Sequence, residues 1–160
     1  MRADNSIEAF WHSFLATSGD KAQDRSQPEA WSFGDNPALA EELCQLVLAG
    51  IKTATCSLLW EYEADGEAIP QEGQLSIILD GQGNPRAIIE TTQVTIQPFN
   101  QVDATFAYEE GEDDRSLESW RREHWRYFSR TSQAKGWQLD ESMPLVCERF
   151  RLIHQEDSLL

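Results

Sequence analysis

Apolar residues near the start of the chain recur at spacings of three and four. Ile7, Phe10, Trp11 and Phe14 draw one stripe along a short helix over residues 6–16. A polar stretch from Thr17 to Glu29, containing Pro28, reads as a loop. Asn36 then offers an N-cap and Pro37 suits a first helical position. Leu39, Leu43, Leu46 and Val47 line one face until Gly50 stops the helix. Beyond Gly50 the pattern shortens. Ile51–Trp60 is small, β-branched and apolar and predicts a strand, while Leu75–Leu79 and Ala87–Ile96 predict two more, joined as a hairpin through the turn-forming residues Asp80 to Pro85. Residues 101–108 suggest a short helical turn, and residues 109–114 an acidic loop. After Ser116 the helical period returns with Leu117, Trp120, His124 and Phe128, ending near Gly136. Leu145–His154 alternates Val146, Glu148, Phe150 and Leu152 against Cys147, Arg149, Arg151 and Ile153, as a returning strand does.

Short strands outnumber crossover helices, so the expected class is α+β. The expected shape is a small mixed β-barrel or strongly curved sheet with flanking helices, rather than a parallel α/β sheet. With 160 residues, 40% hydrophobic and 26% charged, the chain has globular proportions and the size of one domain. Residues 1–30 read as a helical extension and residues 156–160 as a frayed tail. No apolar run approaches a membrane span and the start lacks signal-peptide order, which makes the cytoplasm the expected address. Three cysteines, Cys44, Cys56 and Cys147, with no CxxC pair, give neither a disulfide framework nor a cysteine zinc site and read as small buried hydrophobes.

Charge sharpens the picture. A formal net charge of −15 repels polyanions at long range, and duplex DNA is not an expected partner. Five of the ten arginines, Arg115, Arg121, Arg122, Arg126 and Arg130, fall within sixteen residues. There they interleave with Trp120, Trp125, Tyr127 and Phe128, a combination that stacks single-stranded bases and holds phosphates, or else an amphipathic helix with its aromatics turned inward. His124 shares a face with Trp120 and Phe128, as a ligand or as a hydrogen-bonded core residue.

Two further segments carry candidate chemistry. Gly50-Ile51-Lys52-Thr53-Ala54-Thr55 stands where a helix hands over to a strand. Glycine permits close approach by a ligand, a lysine among apolar and hydroxyl neighbours can have its pKa lowered, and Thr55 offers a hydroxyl nucleophile. The alternative is a lysine reaching water from a strand edge. In a regular strand residues 52 and 55 face opposite ways, so they cooperate only across a turn or bulge. The second segment holds Glu109, Glu110, Glu112, Asp113 and Asp114, whose mutual repulsion calls for a cation: Lys52, an arginine, or a hard divalent metal. The spacing does not match a calcium loop.

Taken together, Gly50 to Thr55, Ala87 to Thr92, Pro98-Phe99 with Val102, Phe106-Ala107 with Glu110 to Asp114, Ser116-Leu117 with Trp120-Arg121 and His124, and Cys147 to Phe150 resemble the bacterial ASCH-domain family over Trp31 to Phe150. The resemblance implies a PUA-like fold, a compact β-barrel with flanking helices and a cleft, and association with RNA or a modified nucleoside. Members include RNA-binding modules, ribonucleases and small amidohydrolases that deacetylate N4-acetylcytidine. It places the Gly-x-Lys signature on Gly50 and Lys52, Lys-x-x-Thr on Lys52 and Thr55, and the catalytic glutamate on Glu110 or Glu112. Where the family pattern reads Glu-Gly-Glu-Gly-Asp, this chain carries Asp113 in place of the second glycine. The expectation is therefore a hydrolase of RNA or of a nucleoside, or a binding module without activity. Lys52, Thr55, Glu110 and Glu112 are its candidate catalytic residues, and Gly50, Thr53, Trp120, Arg121 and His124 its candidate substrate contacts. No cofactor is expected beyond a divalent metal at residues 109–114.

Overall fold

A computed structural model describes residues 3–18 and 26–155. The elements in chain order are α1 (Ala3–Ser18), β1 (Ala30–Trp31), α2 (Pro37–Leu48), β2 (Ala54–Leu58), α3 (Leu59–Asp65), β3 (Leu75–Leu79), β4 (Pro85–Pro98), a 3-10 turn (Phe99–Gln101), α4 (Ala104–Glu110), α5 (Leu117–Gln133) and β5 (Pro144–Gln155). The strands form one mixed sheet in the order β1-β3-β4-β5-β2, so the architecture is α+β. Among the described residues the sheet is not closed. The expected barrel is replaced by an open sheet, because β1 and β2 are edge strands, each hydrogen-bonded on one side. The chain divides into two compact units, one drawn from Met1–Gly50, Gln74–Glu90 and Arg151–Leu160, the other from Ile51–Gly73 and Thr91–Phe150.

In the first unit the α1 stripe behaves as its spacing predicts. Phe10, Trp11 and Phe14 are buried against Leu75, Ile77 and Ile88. Helix α2 starts where Asn36 Oδ1 accepts a hydrogen bond from the Leu39 amide at 2.9 Å and stops with Gly50 in a left-handed conformation, φ 78°. Strand β3 pairs antiparallel with β4, from Leu75 opposite Glu90 to Leu79 opposite Pro85, with an irregularity between Ile78 and Leu79. Asp80 holds the hairpin turn by accepting from the Gln82 and Asn84 amides at 2.9 and 3.0 Å. The two-residue β1, parallel to β3 through Ala30 and Trp31, has no sequence pattern of its own.

In the second unit β2 runs antiparallel to β5, from Ala54 opposite Arg149 to Leu58 opposite Leu145. The predicted strand over 51–60 is shortened at both ends. Leu59 and Trp60 begin α3, since the following Glu61-Tyr62-Glu63-Ala64 favours helix and Gly66, at φ 68°, caps it. Glu109 and Glu110 likewise belong to the last turn of α4 rather than to the acidic loop. The core of this unit gathers Ala54, Leu58, Phe99, Val102, Phe106, Trp120, Phe128, Met143, Leu145 and Cys147. Residues 156–160, expected to fray, lie outside the described residues, as do residues 19–25 of the expected loop.

Candidate functional site

The segment leading into β2 is pinned to the end of α4. The Thr53 amide donates to the Glu109 carbonyl at 2.8 Å, and the Thr53 carbonyl accepts from the Phe150 amide at 3.0 Å. Arg115 Nη2 donates to the Ile51 carbonyl at 3.3 Å. Gly111 ends α4 at φ 78°, and a Cβ there would stand 2.7 Å from the Ile51 carbonyl oxygen. Only glycine fits a backbone this close in this conformation.

That close approach brings Lys52 onto the two carboxylates flanking Gly111. Lys52 Nζ donates to the Ala54 carbonyl at 2.8 Å, to Glu110 Oε1 at 2.7 Å and to Glu112 Oε2 at 2.8 Å. An ammonium has three hydrogens, and these three short bonds use them. Lys52 and Glu110 are each 1% exposed, whereas Glu112 is 25% exposed. The other oxygen of Glu110 faces α5, where Trp120 Nε1 donates to it at 3.1 Å and His124 Nε2 lies 3.3 Å away. His124 stacks on Trp120 with ring centroids 4.3 Å apart, and its Nδ1 is 2.9 Å from the Trp120 carbonyl. A carbonyl only accepts, so Nδ1 carries a hydrogen. Nε2 then faces a carboxylate oxygen, which favours a second hydrogen there and a positively charged ring.

The titration directions agree with this geometry. Burial alone disfavours the Lys52 ammonium, but Glu110 and Glu112 outweigh it and hold its pKa above the ordinary lysine value. The lowered lysine pKa anticipated from the sequence is therefore reversed, because two carboxylates are buried beside it. Burial would raise Glu110; Lys52 and His124 overcome it and hold the carboxyl well below the usual range. Burial would lower His124, and Glu110 raises it instead. With His124 protonated, two cations face two carboxylates and the cluster carries no net charge.

The remaining predicted residues supply none of the three short bonds of Lys52, and Trp120 reaches the cluster through its indole N–H on Glu110. Thr55 is half-buried and opposite Glu148 on β5, while its neighbour Cys56 turns its sulfur to within 4.8 Å of the Glu110 and His124 ligand atoms. Strand alternation puts Thr55 on the other face from Cys56, away from Lys52. Thr53 serves the backbone stitching just described. Trp120 is 4% exposed and packed on Phe99 and Phe106, so it is a core residue and not a stacking platform. Gly50 is exposed, with no atom within 4 Å of where its Cβ would be, and its left-handed turn serves the end of α2. Arg121 is exposed. The exposed aromatics are Tyr108, covered by the Arg115 guanidinium at 3.6 Å, and Trp125.

The acidic residues meet the protein's own donors. Glu109 pairs with Arg149, Glu110 and Glu112 with Lys52, Asp113 accepts from the Ser119 hydroxyl at 3.0 Å, and Asp114 from the Ser116 amide at 2.9 Å. Lys52, Arg149 and, when protonated, His124 are cations that relieve their repulsion. Among the described residues, the ligand atoms that converge as a metal would require are those of Cys56, Glu110 and His124. Lys52 already holds Glu110 Oε1, so a dication there would be bound beside an ammonium. Cys56 had no motif to mark it; its place in the site comes from strand register.

An open mixed sheet with helices, and a sealed lysine–carboxylate pair where α4 meets the start of β2, define the class of this protein. A sequence model of the ASCH domain matches residues 29–154, and the chain belongs to the ASCH-domain family. It is similar to the crystal structure of a protein from Enterococcus faecalis V583, at 41% identity and TM-score 0.84 over 93% of this chain and 88% of that one. It is also similar to the crystal structure of an ASCH domain from Lactobacillus crispatus JV V101, at 34% identity and TM-score 0.87 over 92% and 94% of the two chains. No curated protein matches it. Among the described residues no helix is long and apolar enough to cross a membrane.

Proposed function

We propose that this ASCH-domain protein binds single-stranded RNA at the Glu112 edge of the cluster and cleaves it, with Glu112 as the general base. The observation that carries this reading is the difference in exposure within one ion cluster: Lys52 and Glu110 are sealed, while Glu112, held by the same ammonium, is open to solvent. Such a cluster is costly to bury and is a frequent mark of a functional site. Glu112 takes the proton of a ribose 2′-hydroxyl, whose oxygen attacks the adjacent phosphorus and displaces the 5′-oxygen; water returns a proton to the leaving group. Lys52, a fixed positive charge, orients Glu112 and offsets its repulsion of phosphate. Exposed Arg121, Arg122 and Arg126 on α5 supply phosphate contacts. The N4-acetylcytidine amidohydrolase reading is less well supported, since Thr55 lies on the strand face away from Lys52. A binding module without activity is favoured by one observation, the internal use of all three ammonium hydrogens.

The test is incubation of the protein and its Glu112→Gln variant with a single-stranded oligoribonucleotide and, separately, with N4-acetylcytidine. The expected result is cleavage to 2′,3′-cyclic phosphate ends, slowed about 10²- to 10⁴-fold in the variant. Retained binding without turnover of either substrate selects the module, and deacetylation alone selects the amidohydrolase.

A further inference from the structure

Strand register places two of the three cysteines opposite one another. Cys56 on β2 faces Cys147 on β5, in the same register that sets Ala54 against Arg149. One residue before that, the Phe150 amide donates to the Thr53 carbonyl at 3.0 Å, so residues 53 and 150 form a hydrogen-bonded pair. Hydrogen-bonded and non-hydrogen-bonded pairs alternate along an antiparallel ladder. Counting along β2, residues 55 and 148 are again hydrogen-bonded, whereas 54 with 149 and 56 with 147 are not. Residues in a non-hydrogen-bonded pair lie about 4.5 Å apart at Cα with their side chains on one face. That falls at the short end of the span a disulfide bridges, about 4.4–6.8 Å.

We propose that Cys56 and Cys147 form a two-electron redox site that a hydroperoxide converts to a cross-strand disulfide. Cys56, the less buried of the two, reacts first. Its sulfur attacks the hydroperoxide, the O–O bond breaks, an alcohol or water leaves, and a sulfenic acid remains. The Cys147 sulfur then attacks the Cys56 sulfur, the S–O bond breaks and water departs. One hydroperoxide is reduced and two thiols are oxidised, with no other reactant. Gln97 Nε2, 3.5 Å from Cys147 Sγ, donates to that sulfur and favours the second step. Burial pushes the Cys147 thiol up to about 11 and Cys56 well above its ordinary value, Glu110 adding to the latter, so the reaction is slow and answers sustained oxidant rather than a brief pulse. Oxidation also removes the Cys56 sulfhydryl hydrogen from beside Glu110. A thiol pair left unused by the hydrolytic reading thereby acquires a link to the charged cluster.

The full-length protein is treated with hydrogen peroxide, denatured in an alkylating agent, and weighed before and after reduction. The expected product is two hydrogens lighter, carries one alkylated cysteine instead of three, joins the peptides containing residues 56 and 147, and returns to three alkylated cysteines on reduction. Cys44→Ser leaves the bridge intact, while Cys147→Ser abolishes it and leaves Cys56 as a sulfenic acid trapped by a diketone probe. Cys147→Ala serves if the serine variant does not fold, the fold being checked by circular dichroism. Three alkylatable thiols after exposure that fully oxidises free cysteine, or a bridge that includes Cys44, would overturn the proposal.

Discussion

Replacing Lys52 with methionine keeps most of the side-chain volume and removes the charge. Glu110, 1% exposed, would keep Trp120 at 3.1 Å and His124 at 3.3 Å but lose its 2.7 Å bond to the ammonium. Removing one partner of a buried pair leaves an uncompensated charge and costs about 3–5 kcal/mol. For a chain of this length each kcal/mol moves the melting midpoint by about 2–4 °C, which predicts a drop of about 6–20 °C. Adding Glu110→Gln in the same protein removes the stranded carboxylate and should recover part of the loss, whereas two independent sites would add their costs. Urea unfolding of wild type, both single variants and the double variant measures the coupling. A loss below about 1 kcal/mol for Lys52→Met, with an unchanged denaturant slope, would show that the ion pair contributes no more than a surface one and would remove the basis for treating the cluster as a buried unit.

Two more outcomes follow from the same geometry. The folded pKa of His124 is raised, so its stabilising contribution is fully present below the ordinary histidine value, about 6.5, and is lost as pH rises through the folded value. Unfolding free energy measured in urea should decline as pH rises above 6.5 through the raised folded value and lose the decline in His124→Gln; a rise with pH there would contradict a charged ring on Glu110. Gly111→Ala meets both a left-handed backbone, worth about 1–3 kcal/mol, and an Ile51 oxygen 2.7 Å from the new Cβ, whereas Gly66→Ala at φ 68° meets open space. Denaturation midpoints should fall further for residue 111 than for 66, and equal costs would show that the approach to Ile51 carries no energy.

The helices α1, α2 and α5 were legible from their periodic apolar stripes, and α2 and α5 also have local N-caps, whose capping bonds at Asn36 and Ser116 are made. Strand β5 was legible from its alternation, and β3 and β4 from their apolar and β-branched runs joined by turn-forming residues. The errors fall where one apolar run serves two elements. Leu58 ends β2 and Leu59 begins α3, and nothing in the run's hydrophobicity marks the change. That the sheet stays open among the described residues was not legible, because closure depends on whether the edge strands pair with each other. Within the site, the meeting of Lys52 with Glu110 and Glu112 was readable from charge and from family resemblance. The inward turn of Trp120 and His124 was not, since an arginine-rich amphipathic helix presents the same sequence whether its aromatics serve a ligand or a carboxylate.

Asp113 shows how a departure from the family pattern is accommodated. It occupies φ 54°, and Arg115 follows at φ 66°, both in the left-handed region that a glycine would enter freely. Each is held by a side-chain bond that compensates: Asp113 accepts from Ser119 on α5, and Arg115 donates to the Tyr108 carbonyl at 3.0 Å and covers the Tyr108 ring. The loop that carries Glu112 is therefore fastened to α5 on one side and α4 on the other. The proposed general base must be both partly exposed and fixed in direction, and a loop free at this point would let Glu112 leave Lys52 for water. On the proposed reading, a chain of net charge −15 must also admit a phosphate to this site. When His124 is protonated, it and Lys52 balance Glu110 and Glu112 at short range, and the proposed phosphate contacts of the arginines on the exposed side of α5 then face no opposing field from the cluster itself.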